Sequence, residues 1–485
     1  MSVPVHLVKV LDALGLNPAL PADMVRRLLK GGRGMGRVAK RPDLTADMIT
    51  EILDDDRPDL VHMLALNQQL PNEFRQRLAR HPDHMIRSAL VIGGEGAPPE
   101  LFEPLIDDPD RFARELLAQS DRLTVAQRRR LAADPDPEVR ATLARWWPEA
   151  PVEVRRALLT DRDAKVRAAA CSTYYARGPH PVPPADLIPA LLADPATRTG
   201  VLRHVDLDHE TAARLVEDPD HTVRQELAKH PQLPTELRDV LAADPDNRVR
   251  VSVFTRPDTP EELRSAIYAQ LRSGPDPVLT MFARDVDKAV RGKAIADHWA
   301  NLELATVRLS WVKADPLPYV DSPYPCFRAA AAANRELAPD VVARLLDDPD
   351  SRVRTTMAGH APDQVDATTM ERIDREFAPV GKTRWRPADM FDFSPETLRR
   401  FATDPDSWMR QLAPRDPDLP AELAEQLARD PSNQVRLAVA GHPNLPASAL
   451  VALLADETEW VAQAAAGSPV LPVEEMDRLL ALADL

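Results

Sequence analysis

The sequence predicts an all-α fold: an α-solenoid of about 15 two-helix repeats of roughly 26 residues, with insertions in the middle and late units. Three observations predict it. One phrase (Asp-Pro, a few polar residues, an apolar residue, Arg) recurs at Asp134 to Arg140, Asp218 to Arg224, Asp244 to Arg250, Asp404 to Arg410 and Asp430 to Arg436. The phrase returns at a near-constant interval. Finally, 48 prolines stand against 16 glycines, which suits short helices opened by Pro rather than strands or flexible linkers.

One unit shows why the phrase means helices. Asp430-Pro431 reads as a helix start, since the Asp side chain can accept from a free backbone N–H and Pro at the first helical position gives up a donor that had no partner. Val435, Ala438 and Val439 then form an apolar stripe at i, i+3, i+4. His442-Pro443 ends the helix, because Pro disfavours helical geometry in the residue before it. Pro446 opens a second helix with the stripe Leu450, Leu453 and Leu454. Such a pair cannot bury its apolar face alone and must stack on its neighbours.

With the arginine slot as a ruler, units fall at Arg37, His62, Arg87, Arg114, Arg140, Arg167, Gly200, Arg224, Arg250, Arg291, Arg328, Arg354, Arg410, Arg436 and Ala462. Nine of the fourteen steps are 25 to 27 residues, too regular for chance. The acids and arginines of the phrase (Asp134, Arg140, Asp218, Arg224, Asp244, Arg250, Asp404, Arg410, Asp430, Arg436) are expected to form a structural ladder joining each unit to the next. Ala462 in the last slot then reads as the ladder's end.

The Asp-x5-Arg spacing with an apolar residue before the Arg resembles HEAT repeats. The longer phrase, Asp-Pro-x-x-x-Val-Arg-x-x-x-Ala-x-His-Pro-x-Leu-Pro-x-x-x-Leu, is more similar to the bacterial leucine-rich repeat variant. The resemblance covers the chain from about Leu20 to Leu485 and specifies architecture rather than activity. Some proteins of that family carry an N-terminal cysteine cluster holding an iron–sulfur centre. The first thirty residues here contain no Cys, so no iron–sulfur cluster is expected, nor any other cofactor.

Composition narrows the function classes. Net charge is −15, from 61 basic and 76 acidic residues. Much of the acid is Asp at helix starts, where it complements the positive helix end. The balance disfavours general nucleic-acid binding, which depends on neutralising phosphates, and leaves only a local basic groove as a route to it. Cys171 and Cys326 lie far apart, so neither a disulfide framework nor a cysteine metal site is expected. No apolar run is long enough to span a membrane and no signal segment opens the chain, so a cytoplasmic protein is expected, and the Arg- and Pro-heavy composition suggests a bacterium.

Four segments follow along the chain: an N-terminal helical cap over 1–30, regular repeats over 31–270, irregular repeats with aromatic-rich insertions over 271–403, and regular repeats with a cap over 404–485. Lys30 to Gly36 is glycine-rich but follows no strand and lacks the Gly-Lys-Ser/Thr ending of a phosphate loop, so it reads as a loosened helix start. Trp146-Trp147-Pro148 replaces the usual His-Pro and reads as a ridge packing on the next unit. A short insertion from Cys171 to Pro184 carries Tyr174-Tyr175. Residues 299–327 and 377–401 hold ten of the 22 aromatics in about a ninth of the length.

The repeated Asp/Arg pair argues against catalysis, because an active site is built once and a ladder every turn. His230, His360 and His442 recur six residues after the slot arginine and read as carbonyl caps at helix ends. His81-x-x-His84 spans a Pro-marked helix start, which disfavours a metal pair. No Gly-x-Ser-x-Gly elbow, His-Glu-x-x-His or Cys-x-x-Cys is present.

The reading is therefore a non-enzymatic scaffold binding a protein or peptide through its concave face and the two insertions. Trp311, Tyr319, Tyr324, Arg384, Trp385 and Arg386 are the expected contacts, since aromatics and Arg dominate binding hot spots. The competing role for these aromatics is to cover a degenerate stretch of core. Alternatives are a HEAT-like nucleic-acid binder and an enzyme with its site in the insertions. No membrane partner is expected.

Overall fold

A computed structural model describes residues 6–31, 34–172, 180–273, 277–282, 286–377 and 385–485. The regular elements among them are α-helices and short 3-10 turns, with no strand among the described residues. The chain divides into two compact units: unit 1 comprises residues 1–180 and 393–485, and unit 2 residues 181–392. This division cuts the chain elsewhere than the four sequence segments.

In unit 1 the helix pair repeats in order, with helices Ala421–Ala428, Asn433–Val439, Ala447–Leu453 and Glu459–Ala466. Val435, Val439 and Leu450 are fully buried, whereas Ala438 is exposed, so the stripe runs i, i+4 without the i+3 position. The helix starts two residues later than the Asp-Pro signal suggests. Asp430 Oδ1 accepts from the Ser432 N–H at 2.8 Å, a turn outside the helix. In sister units the cap is a second Asp: Asp136 accepts from the Glu138 N–H and Asp406 from the Trp408 N–H, each at 2.9 Å. The first Asp is held out of the capping position by a second partner.

That partner is the slot arginine of the preceding repeat. Arg410 donates from Nε and Nη2 to both carboxylate oxygens of Asp430 at 2.6 and 2.9 Å, and Arg436 does the same to Asp456 at 2.7 and 2.9 Å. Arg114 grips Asp134 at 2.7 and 3.2 Å, and Arg140 grips Asp161 at 2.8 and 2.9 Å. The third nitrogen turns back to the repeat's own loop, Arg140 Nη1 donating to the Asp134 carbonyl at 2.7 Å. A rigid planar fork can meet a carboxylate bidentately and still reach a carbonyl, which Lys cannot do. Burial raises the pKa of these acids, but hydrogen bonds from the arginine and a backbone N–H outweigh it, holding Asp108, Asp161, Asp430 and Asp456 below the usual carboxylate range.

A second series of hydrogen bonds runs along the turns that close the first helices. Asn67 Nδ2 donates to the carbonyls of Ala39 and Arg41 at 3.1 and 2.9 Å, and Arg41 Nη1 to those of Gly15 and Asn17 at 3.2 and 2.7 Å. His442 Nε2 reaches the Asp416 carbonyl at 2.8 Å, and His230 Nε2 the Val205 carbonyl at 3.2 Å. The capping expected of these histidines thus crosses to the preceding repeat. His360 instead bonds the Thr356 carbonyl in its own helix at 2.9 Å.

The turn series does not stop at the end of the chain. Asn17, fully buried, donates to the carbonyls of Ala466 and Ser468 at 2.9 and 2.7 Å. Helix Glu459–Ala466 packs directly on helix Leu7–Leu14. Arg27 pairs with Asp477 at 2.5 Å and donates to the Leu485 carbonyl at 2.6 Å. Unit 1 is therefore one stack that runs from residue 393 to 485 and continues at the N-terminal helices. The helix stack thus continues past Ala462, the position expected to end the ladder. Ala462 supplies no ladder arginine, yet it is fully buried in a helix packed on the start of the chain.

In unit 2 the rungs Arg224–Asp244, Arg328–Asp348 and Arg354–Glu376 close at 2.7, 2.7 and 2.9 Å. Asp218 is paired with Arg198, so the slot assigned to Gly200 belongs two residues earlier. Arg250 finds amides in place of a carboxylate, those of Asn247 and Gln270, because Gln stands where the next repeat would supply Asp. Helix Glu261–Arg272 follows, then helices Pro277–Phe282 and Lys288–Thr306, the last 19 residues long.

Candidate functional site

Most of the sequence-chosen aromatics close the core of unit 2 where the repeat is irregular. Trp311 on helix Ser310–Ala314 stands edge-on to Tyr319 and Phe327 at 5.3 and 5.6 Å between ring centroids. Phe254 meets Tyr324 at 5.1 Å and Phe327 at 5.4 Å. Trp311 Nε1 donates to the Thr255 carbonyl at 3.2 Å, and the buried Tyr324 hydroxyl donates to Glu261 Oε1 at 2.6 Å. Burial and that carboxylate push the Tyr324 pKa up to about 12. The Arg264 guanidinium lies over the Phe327 ring at 5.0 Å, a cation–π contact that fixes the insertion on the preceding repeat.

Trp311, Tyr319 and Tyr324 thus come together, with Trp311 and Tyr319 half-buried. Arg386 packs elsewhere, buried with Nε 3.0 Å from both oxygens of the fully buried Asp374. Trp385 is 41% exposed, edge-on to Phe377 at 5.6 Å. Arg384 lies outside the described residues, as do Tyr174 and Tyr175. Trp147 is buried, with the Arg128 guanidinium 5.3 Å from its ring. His81 has both ring nitrogens engaged, by Asp56 Oδ1 at 2.9 Å and the Asp83 N–H at 3.1 Å. No metal-holding group of His, Cys, Asp and Glu exists among the described residues.

Beside this cluster the insertion builds a hollow of about 660 Å³ that sequence reading did not pick out. Its lining carries the cations Arg308, Lys313 and Arg352, the imidazole of His360, three hydroxyls (Thr306, Ser310, Thr356) and small walls that include Ala329, Ala330 and Ala333. No described lining residue is acidic. Arg352 stands on helix Ser351–His360, two residues before slot arginine Arg354. Burial pulls its pKa down, and Cys326 and Asp350 only partly offset that. Asp350 accepts from the backbone N–H groups of Arg352 and Val353 at 2.9 and 3.4 Å and makes no ion pair with the guanidinium.

The same position in an earlier repeat, Arg248, is neutralised by its own capping acid, with Nη2 to Asp246 Oδ2 at 2.9 Å. A smaller adjoining hollow of about 190 Å³ shares Ala305 and Arg352 and includes Cys326, whose thiol burial pushes up to about 11. By contrast, the lining of a hollow of about 380 Å³ in unit 1 mixes Asp12, Asp59 and Asp83 with Arg37 and His62.

The helices leading into the insertion leave apolar side chains uncovered. Leu279 and Phe282 are 73% and 79% exposed, Trp299 is 53% exposed, and Val278, Val290 and Ile295 are exposed beside them in sequence.

Comparison with known proteins bears on the repeat. Residues 434–457 match the leucine rich repeat variant family, over the stretch that holds Arg436, His442 and Pro446. The chain is an all-helical repeat protein, and one of its repeats is similar to the leucine rich repeat variant. No curated protein matches its sequence. Among solved structures, Kap121p bound to Ste12p is 13% identical over 92% of this chain and 48% of that one, with a TM-score of 0.25. Kap121p bound to RanGTP is 13% identical over 96% and 55%, with a TM-score of 0.24. An engineered protein is 16% identical over 94% of this chain and 99% of its own, with a TM-score of 0.13. The repeat protein spans about half the length of Kap121p. Among the described residues no helix is long and apolar enough to cross a membrane.

Proposed function

We propose that this repeat protein is a non-enzymatic scaffold that binds a protein or peptide partner through unit 2. The observation that carries the reading is the run of exposed apolar side chains from Val278 to Trp299. Single exposed apolar residues are ordinary, but a concentrated set marks an interaction surface. Contact is proposed to extend over the concave face of the repeats and the 299–327 and 377–401 insertions. There Trp385 is an accessible contact, while Trp311, Tyr319 and Tyr324 hold the insertion in place. A rigid stack offers its contacts without an ordering cost on binding.

The chemistry of the insertion supports binding over turnover. Its hollow offers cations and hydroxyls with no carboxylate in its described lining, and the neighbouring Cys326 is held in its unreactive thiol form. Both cysteines are buried and stand outside any disulfide, as suits a reducing cytoplasm. A net charge of −15 disfavours nucleic acid as the main partner.

The test is affinity capture from the native host with tagged wild type and a Leu279→Asp/Phe282→Asp variant. A specific co-purified polypeptide lost in the variant is the expected result. The same set of polypeptides with both baits would remove unit 2 as the contact surface.

A further inference from the structure

We infer that the hollow between residues 305–313 and helix Ser351–His360 binds an acidic peptide, whose carboxylates pair with Arg308, Lys313 and Arg352. This rests on the scaffold reading and specifies the chemistry of the partner segment.

The ladder arginines described above spend their guanidinium groups on a carboxylate of the following repeat. Arg308, Lys313 and Arg352 make no ion pair among the described residues, and they converge on one hollow without an acid in its described lining. A folded chain of net charge −15 has carboxylates in excess, so three unpaired cations in one place are a local reversal of the molecule's field. Such a site attracts an anion and disfavours a cationic or neutral ligand.

Depth and register add to this. Arg352 is the innermost cation, shared between two adjoining hollows, and its desolvation is a standing cost that a bound carboxylate would relieve. Arg248, at the same place in the motif, has that cost relieved internally by Asp246. A capping acid is also present at Asp350, but it accepts backbone N–H groups on Oδ1 and makes no ion pair with the Arg352 guanidinium. The vacancy at Arg352 is therefore one that an acid from another chain can fill.

The walls decide the class of anion. Alanines and the apolar Val307 and Leu309 alternate with the cations around about 660 Å³, which suits aliphatic acidic side chains on a backbone better than a small inorganic ion. His360, whose Nδ1 donates to the Thr356 carbonyl at 2.9 Å, adds a further polar group to the lining. A nucleic-acid backbone would need a longer basic track than three cations in one depression.

The experiment uses the full chain and fluorescein-labelled hexaglutamate, read by fluorescence anisotropy at low salt. The comparison probes are hexaglutamine, oligothymidylate and inorganic phosphate as competitor. Saturable binding of hexaglutamate alone is expected, weakened about tenfold by Arg352→Gln, in line with the worth of one charge-assisted hydrogen bond. The solvent-exposed pair variant Arg308→Gln/Lys313→Gln should weaken it at least as much, and it keeps the test valid if Arg352→Gln folds poorly.

Equal binding of hexaglutamine, tighter binding of oligothymidylate, displacement by phosphate at matched concentration, or no binding at all would each overturn the assignment. So would hexaglutamate binding that is unchanged in both variants. Leu279→Asp/Phe282→Asp should retain hexaglutamate binding. Loss of partner capture in that variant with no hexaglutamate binding in wild type would sink the hollow and leave the scaffold standing.

Discussion

Arg410 in unit 1 and Arg352 in unit 2 are both carried on the first helix of a repeat, and they are used in opposite ways. Arg410 closes a fork on Asp430 of the next repeat at 2.6 and 2.9 Å and turns its remaining nitrogen to its own loop. Arg352 has no carboxylate to hold and faces a hollow shared with Arg308 and Lys313. This repeat protein separates its roles by register: the slot that recurs every turn carries structure, and the position two residues before it is free to vary. Arg248, Cys326, Arg352, Trp408, Gln434 and Trp460 occupy that variable position.

The largest effect is expected in the aromatic seam that supports the hollow. Phe254 is fully buried between Tyr268, Tyr324 and Phe327, so Phe254→Ala should cost about 3–5 kcal/mol in urea unfolding. A loss below 1 kcal/mol would mean that the seam is not core.

Next comes the junction of the chain's two ends. Asn17→Ala leaves two buried carbonyls of the last repeat without a donor, and unit 1 should lose about 1–3 kcal/mol. Amide exchange should speed up in both Leu7–Leu14 and Glu459–Ala466. Faster exchange confined to the first of these helices would argue against a stack continuous through the ends.

Acid comes third. Asp108, Asp161, Asp430 and Asp456 have folded pKa values below the ordinary carboxylate range. Their stabilisation is complete above the unfolded value, about 3.9, and is lost as pH falls through the folded values. The thermal midpoint should therefore be flat just above that point and drop steeply below it, less steeply in Arg410→Gln. A midpoint that declines evenly from neutral pH would rule out this linkage. Smallest of all, Leu279→Asp/Phe282→Asp should change stability by no more than about 0.5 kcal/mol, because both side chains lie open to water.

The sequence showed the rungs but not everything they join. The Asp-x5-Arg phrase located Arg114, Arg140, Arg410 and Arg436 because the spacing is local, and the partner of each is an Asp in the next repeat. The phrase also misplaced the helix start, since the first Asp serves the preceding arginine and leaves the cap to a residue two further on. Asn17 carried no signal: Asn, Arg and His all serve at the turn position, so no single residue type marks it. The aromatics of 299–327 were visible, but composition does not say whether a ring faces a partner or a neighbouring ring. Arg352 was hidden in a variable position beside a conspicuous slot. Its significance depends on which acids do not reach it, and only the fold shows that.

The account stands most directly on a side-by-side urea denaturation of Arg436→Gln and Arg352→Gln. Arg436→Gln strands the buried Asp456 and should lose roughly 3–5 kcal/mol, while Arg352→Gln removes a desolvated, unpaired charge and should be neutral or slightly stabilising. Equal losses in the two variants would contradict the division between structural and unspent arginines.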